Sequence, residues 1–476
     1  PNVAVVAKYA SWMDGTVVNV GDDNIITQFI EKKDFDYNNI NEYYKTVNIY
    51  KFSKEFINNQ YIPFLLAYIK AYGENEYYET VLKAISHLSR SHIKAHILEN
   101  EKWYEIDDGQ DYDIATALFL EGEEKLRHMQ IKYGGYWRYD GLLDYCYLVN
   151  PFFPSNKMIE KMKNEYNILL RQYPSGLNTQ NLNAGRMFEI DADKLLVGNG
   201  AAEIINILNK VVKGKLGVCI PTFNEYIRCF PNCQIVKLNT SFNDYSYNID
   251  TIMEHIDKVD NMVIINPDNP SGSFICYDDI IRIIEKCENQ NKLIIFDESF
   301  IDFAEKELRY TLINDDIMNK YQNLIVIKSI SKSYGVPGLR LGIMACGNKE
   351  INKIIRQNMA IWNINSLAEY FLQIIPLYKD DYIKACDKIV AEREYMTTEL
   401  RKAGYKVYDS QANFIMVKIN KNSAKMAIDL LEKHNILIKD LYKKDTFNKP
   451  QYIRLAIRNR KDNERIIQIL RREVNL

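Results

Sequence analysis

From about Trp137 onward the chain falls into short apolar runs separated by amphipathic stretches. Leu216–Ile220, Ile235–Leu238, Met262–Ile265, Leu293–Phe296 and Leu324–Lys328 are rich in Ile, Leu and Val and too short for helices, which predicts strands. Helical repeats such as Asp278–Lys286 lie between several of them. Nearly continuous apolar strands alternating with helices predict an α/β fold with a large, mainly parallel sheet covered on both faces. From about Asn352 the order changes: helices come first, then Ala412–Lys418 and Tyr452–Ala456 as strands, the pattern of a smaller α+β domain.

Residues 1–115 mix short strands (Val3–Ala7, Thr16–Val20, Tyr44–Tyr50, Ile93–Leu98) with helices over Ile62–Tyr72 and Tyr78–Ser86. Apolar and charged residues then recur at helical spacing from Asp111 to Ile131. The expected organisation is a first domain over 1–115, a linker helix over 116–135 and a second domain over 136–476. Within the second, a large part spans about 180–350, and 136–180 joins 351–476 in a small part. The chain opens on Pro1-Asn-Val-Ala-Val-Val6, which reads as the middle of a strand, so an upstream portion is expected.

Composition narrows the function classes. A chain of 476 residues exceeds one ordinary core. With 61 basic and 63 acidic residues it has no charge excess to suggest a nucleic-acid face or an acidic tail. No apolar run is long enough for a membrane helix and no signal peptide is visible. The 8 cysteines are scattered, without a CxxC pair, which implies reduced thiols and a cytoplasmic protein rather than a disulfide or metal framework.

Five segments carry chemistry. Gly198-Asn-Gly-Ala-Ala-Glu203 precedes the helical run Ile204–Val212, where small residues let backbone N–H groups approach a phosphate. Pro221-Thr-Phe-Asn-Glu-Tyr226 places an aromatic just beyond a strand, where it can stack on a planar ring. Asn266-Pro-Asp-Asn-Pro-Ser-Gly272 follows another strand and offers amides. Asp297 follows the Leu293–Phe296 strand, in the crevice where open α/β sheets bind ligands. Lys332 lies in Ser329-Ile-Ser-Lys-Ser-Tyr-Gly-Val-Pro-Gly-Leu-Arg-Leu-Gly342, eight residues before Arg340 and its Gly-Leu-Arg-Leu-Gly turn. Singly, each has a plain reading: a tight turn, a packed loop aromatic, an Asn-Pro turn, a helix N-cap, a surface lysine. Together they supply a phosphate loop, a stacking ring, an amide, a carboxylate, an amine and a guanidinium. That set suits one phosphorylated aldehyde, pyridoxal phosphate, held by a lysine amine.

The segments resemble fold-type-I aminotransferases of the histidinol-phosphate aminotransferase and threonine-phosphate decarboxylase branch, over about Gly134 to the C-terminus. The resemblance implies a pyridoxal-phosphate enzyme in which Lys332 binds the cofactor aldehyde and later moves the substrate proton. It implies that Asp297 pairs with the pyridine nitrogen, Asn269 bonds the phenolic oxygen and Phe223 stacks on the ring. Gly200, Ala201, Ala202, Ser329 and Arg340 match the phosphate cup, with Arg340 as the bidentate clamp. Tyr173, in Arg171-Gln-Tyr-Pro174, matches a tyrosine that reaches the partner's phosphate in a homodimer. Arg454, in Tyr452-Ile-Arg-Leu455, matches the arginine that grips the substrate carboxylate. Two positions depart from the pattern: Phe300 stands where a tyrosine usually bonds the phenolic oxygen, and Ala202 lacks an acidic or hydroxyl group. Phe300 and Asp302 are more like the decarboxylases.

Tyr44-Lys-Thr-Val-Asn-Ile-Tyr50 and Trp103-Tyr-Glu-Ile-Asp107 resemble the C-terminal half of sugar-phosphate and phosphocholine nucleotidyltransferases. That likeness implies Mg²⁺ at Glu105 and Asp107, expected two apart on one strand and so on one side; a solvated acidic turn is the plainer alternative. The family's Gly-rich nucleotide loop is absent from the sequence. The combination resembles fusions of a 2-aminoethylphosphonate cytidylyltransferase with a 2-aminoethylphosphonate–pyruvate transaminase. It implies small-molecule substrates, namely an aminophosphonate or phosphorylated amine, an amino acid/keto acid pair and CTP. Alternatives are a histidinol-phosphate-like aminotransferase or threonine-phosphate-like decarboxylase beside a phosphocholine cytidylyltransferase. A transcription factor with an aminotransferase-like domain would need a helix-turn-helix and a basic face, and neither is present.

Overall fold

The computed structural model describes residues 2–10, 12–75, 78–88, 92–99 and 101–474; Pro1, in the expected opening strand, lies outside them. The chain divides into two units, residues 1–140 and 141–476.

In the first unit β1 (Asn2–Lys8), β2 (Val17–Val20), β3 (Ile26–Ile30), β4 (Tyr43–Lys51) and β5 (Ile93–Leu98) form one sheet in the order β3-β2-β4-β1-β5. Only the β1–β5 pair is parallel. Helix Tyr78–Leu88 lays Val81, Leu82 and Ile85 against Val6, Val18 and Phe29 in a closed apolar cluster. That stripe at helical spacing is what holds a surface helix on a sheet.

The single linker helix expected over 116–135 is two helices, Gly109–Phe119 and Gly122–Gln130. Asp108 caps the first, with Asp111 closing the reciprocal capping box. The break comes at Leu120 and Glu121, both extended, before Gly122 at φ 59°.

The second unit contains β6 (Leu143–Asp144), β7 (Leu195–Asn199), β8 (Lys215–Ile220), β9 (Gln234–Asn239), β10 (Asn261–Ile265), β11 (Leu293–Asp297), β12 (Leu324–Ser329) and β13 (Leu341–Cys346). It continues with β14 (Lys406–Val407), β15 (Phe414–Lys418), β16 (Ile436–Leu437), β17 (Lys439–Asp440) and β18 (Tyr452–Ala456). Seven of these make the large sheet, ordered β7-β13-β12-β11-β10-β8-β9. All are parallel except β13, which runs antiparallel to β12 and β7. β10, β12 and β13 are buried at every residue, as a sheet covered on both faces requires. The α/β reading of the sequence therefore holds.

The expected Gly-Leu-Arg-Leu-Gly turn is only half a turn. Pro337–Leu339 makes one 3₁₀ turn, Arg340 sits at φ 58°, and Leu341 already starts β13. A strand that reverses direction inside a parallel sheet carries no separate signature in its own residues.

A second, antiparallel sheet has the order β14-β15-β18-β17. Its register sets Met416 and Lys439 on either side of Arg454.

Candidate active site

The C-terminal ends of β8, β10, β11 and β12 deliver four of the five chemical segments to one crevice. Phe223 follows β8, Asn266–Asn269 follows β10, Asp297 ends β11, and Lys332 stands one helical turn beyond β12. Lys332 Nζ lies 4.9 Å from the centre of the Phe223 ring and 4.7 Å from that of Phe300. Burial between these rings pulls the Lys332 ammonium below its ordinary range; Asp297 opposes the shift, and Arg454 and Arg340 reinforce it. A lysine so placed is more readily neutral, and only the neutral amine attacks an aldehyde.

The serine-rich loop around Lys332 is mostly structural. Ser331 Oγ accepts from Leu341 N at 2.9 Å and donates to Leu341 O at 3.2 Å, tying the lysine turn to β13. Ser333 Oγ donates to Ser329 O, and Ser329 N donates to Ser299 Oγ. The Ser329 hydroxyl itself has no hydrogen-bond partner among the described residues and is buried.

Beside it, β7 runs into helix Gly200–Ile207, whose first turn carries Ala201 and Ala202. Gly200 adopts φ 73°, and a Cβ there would stand 2.7 Å from Arg340 Nη2. A Cβ on Gly342 would stand 2.2 Å from Ala201 N. The two glycines thus bring the helix N–H groups and the Arg340 guanidinium together, an anion cradle that any larger residue would fill.

Asp297 is buried, with Oδ2 accepting from Tyr226 Oη at 2.8 Å and Oδ1 from Ser299 N at 3.0 Å. Burial, then the Asp297 charge, holds the Tyr226 phenol protonated far above its ordinary range. Tyr226 lies in a segment visible in the sequence, but only the fold shows that its hydroxyl reaches Asp297.

Arg454 is 7% exposed; its Nη1 donates to Asn269 Oδ1 and its Nη2 to Cys146 O, each at 2.6 Å. Its Nε–H is buried and has no hydrogen-bond partner among the described residues. Burial draws the guanidinium pKa down to about 10, which still leaves it charged at neutral pH. Two lysines escaped the sequence reading. Lys439 is directly opposite Arg454 across β17 and β18. Lys444 donates to Thr222 O at 2.6 Å and to Asn224 Oδ1 at 3.3 Å, on either side of Phe223. The one available signal was a lysine closing the apolar run Ile436-Leu-Ile-Lys439.

Phe300 packs edge-on against Phe414 and offers no hydroxyl to the crevice. Asp302 is committed to a buried cluster behind the site, 2.9 Å from Lys328 Nζ and accepting from Tyr382 Oη at 2.7 Å. Tyr173 does not join the Lys332 cluster. It is 77% exposed, stacks on Trp362 with ring centres 4.3 Å apart, and lines a surface groove of about 750 Å³ with Asn199, Ile361 and Asn363.

In the first unit the expected strand through Glu105 and Asp107 is absent: residues 101–108 are irregular. Glu105 Oε2 lies 3.1 Å from buried Lys45 Nζ, and Oε1 accepts from Asn48 Nδ2. Asp107 is exposed, with its N–H donating to Asp111 Oδ2. An ammonium already neutralises the one carboxylate and no shared strand face presents the other, so the pair as arranged does not fit Mg²⁺. No cluster of three or more metal-binding side chains occurs among the described residues.

The crevice of the second unit fits pyridoxal phosphate. A buried carboxylate, an amide, a stacking ring and a lysine amine adjoin an anion cradle, in the arrangement that an aromatic aldehyde bearing a phosphate requires.

The model of the family "Aminotransferase class I and II" matches residues 178–470. CMP-5'-(3-aminopropyl)phosphonate synthase from Streptomyces rubellomurinus is 27% identical over 462 residues, covering 95% of this chain and 72% of that protein. An L-serine phosphate decarboxylase from Campylobacter jejuni is 30% identical over 349 residues, covering 68% of this chain and 87% of that one. The crystal structure of the histidinol-phosphate aminotransferase from Clostridium acetobutylicum superposes with a TM-score of 0.63 at 28% identity, covering 70% of this chain and 99% of that one.

Proposed function

Because the chain belongs to the pyridoxal-phosphate-dependent aminotransferase class I and II family, we propose that it transfers the amino group of a small aminophosphonate, 2-aminoethylphosphonate, to a keto acid. The reaction is a nitrogen exchange: 2-aminoethylphosphonate and pyruvate give phosphonoacetaldehyde and alanine, or the reverse. The observation that carries the substrate class is the buried Nε–H of Arg454, unpaired and facing Lys439 across the strand pair. Neither side chain forms a direct ion pair among the described residues, an arrangement that suits an anionic substrate end.

When bound, pyridoxal phosphate supplies the electron sink that lets a bond at the amine-bearing carbon break. The residues of this chain do the rest. Arg340, Ser329 Oγ and the N–H groups of Ala201 and Ala202 hold the phosphate. Asp297, fixed by Tyr226, keeps the pyridine nitrogen protonated. Phe223 covers one ring face, and the Asn269 amide group lies with Oδ1 already used by Arg454, leaving its N–H donors for the phenolic oxygen. Lys332 Nζ, with its proton affinity lowered, removes and returns the proton at the substrate carbon.

Decarboxylation of a phosphorylated amino acid is the second reading. Phe300 favours it, as does the similarity to the serine phosphate decarboxylase. A panel of 2-aminoethylphosphonate with pyruvate, histidinol phosphate, threonine phosphate and serine phosphate separates the two. Preferred phosphonoacetaldehyde formation is expected; preferred CO₂ release would overturn the transaminase reading.

The first unit is read as the C-terminal part of a CTP-dependent nucleotidyltransferase. This rests on the likeness of its Trp103–Asp107 segment and on the similarity, over 95% of this chain, to the CMP-5'-(3-aminopropyl)phosphonate synthase. Calorimetric titration with CTP, with and without Mg²⁺, tests it; absence of heat in both would set it aside. A homodimer is proposed from Tyr173 and the exposed aromatic groove around it.

A further inference from the structure

Three basic side chains, Arg454, Lys439 and Lys444, act on one another around the Asn269 and Phe223 segments, and the direct hydrogen-bond acceptors of Arg454 and Lys444 are neutral. Arg454 bonds an amide oxygen and a backbone carbonyl and keeps one N–H unfilled. Lys439, half-buried beside it, makes no ion pair among the described residues. Lys444 bonds the carbonyl of Thr222 and the amide of Asn224. The acids nearby attract these cations through space, but their direct bonds go to other groups. Asp268 accepts from Ser271 and Tyr247, Asp144 from the N–H groups of Cys146 and Tyr147, Asp440 from Ser423 and Tyr442, and Asp445 pairs with Lys237.

Such a cluster is unstable by itself. Lys444 is pulled down to about 7, by burial first and then by the fields of Arg454 and Lys439, with Asp268 and Asp445 opposing more weakly. One negative charge on a ligand would be balanced by Arg454 alone; a second would have only the lysines to meet it.

We propose that Lys444 is the residue that reads the second negative charge of a dianionic phosphonate or phosphate end group, and that it passes this to the ring over Lys332. The link is short: the same ammonium holds Thr222 O and Asn224 Oδ1, the residues on either side of Phe223. Lys444 is thus a positioning residue for Phe223 as well as a selector. The substrate identity rests on the reading above, but the charge-reading role does not depend on turnover.

The test compares ligands of one shape and two charges. Methylphosphonate, a dianion at pH 8.5 whose binding must return a proton to Lys444, and methanesulfonate, a monoanion, are titrated into the holoenzyme at that pH, following the absorbance of the bound cofactor. Wild type, Lys444→Met and Lys444→Arg are compared. Wild type should favour the phosphonate, and Lys444→Met should cut that preference about 10- to 100-fold, the worth of one charge-assisted hydrogen bond. Lys444→Arg should restore most of it. Equal weakening of both ligands, or an unchanged preference, overturns the proposal. The same three proteins are assayed with 2-aminoethylphosphonate and with taurine, its sulfonate analogue. If neither amine reacts while the methylphosphonate preference still collapses in Lys444→Met, the substrate reading fails and the role of Lys444 stands.

Discussion

Replacing Lys444 by methionine should change how stability responds to pH, and the structure sets the size. An unfolded lysine titrates near 10.5, whereas Lys444 in the fold is drawn down to about 7. Below about 7 both states carry the proton and the fold bears the full cost of a buried, crowded ammonium. Between 7 and 10.5 the unfolded chain binds more protons than the fold, so stability rises with pH. Each pH unit in that window is worth about 1.4 kcal/mol at most, with a ceiling of about 4–5 kcal/mol for the whole window. Lys439 and Lys332 are also lowered and give slopes of the same sign, so the difference between wild type and Lys444→Met isolates one group. Urea unfolding of cofactor-stripped protein at pH 7, 8 and 9, followed by tryptophan fluorescence, reads it. Wild type should gain at least about 1 kcal/mol more than the variant between pH 7 and 9. Parallel stability curves for the two proteins would refute the claim that burial and the neighbouring cations outweigh the pull of Asp268 and Asp445 on Lys444.

Three further outcomes follow from named contacts. Lys332→Ala should abolish transamination and the absorbance of lysine-bound cofactor, as measured by spectrophotometry and coupled assay; retained turnover would displace Lys332 from its role. Tyr226→Phe leaves Asp297 Oδ2 short of its 2.8 Å donor, which should cost about 1–3 kcal/mol in denaturant unfolding and lower kcat more than it raises KM. Arg454→Met should raise KM for the anionic amine about 10- to 100-fold while melting changes little, because removing a costly buried cation offsets the loss of its two hydrogen bonds.

Much of the large sheet was legible because each central strand is buried on both faces and so is written as an unbroken apolar run, as in Ile294, Ile295 and Phe296. The chemistry at the strand ends was legible for a related reason. Asp297 ends a strand and Phe223, Asn269 and Lys332 lie within four residues of one, so local sequence already places them at the same end of the sheet. The helix break at Leu120–Gly122 was not, since helical spacing continues across it and only backbone geometry interrupts the hydrogen bonds. The strand expected at Trp103–Asp107 also failed: Glu105 is held from outside by Lys45 and Asn48 of β4, which alternation within the segment cannot foresee.

By itself, then, the sequence determined the α/β alternation, the order of the chemical segments and the lysine that identifies them, because these depend on neighbours in the chain. The tertiary structure alone decided what surrounds them. Tyr226 becomes the support of Asp297 only when β8 and β11 share a sheet, one strand removed, and Lys439 meets Arg454 only through the β17–β18 register. Lys444 reaches the Phe223 segment across 222 positions of sequence. Electrostatic fields act through space rather than along the chain, so the charge of this site became readable only once distant cations had been brought together and removed from water.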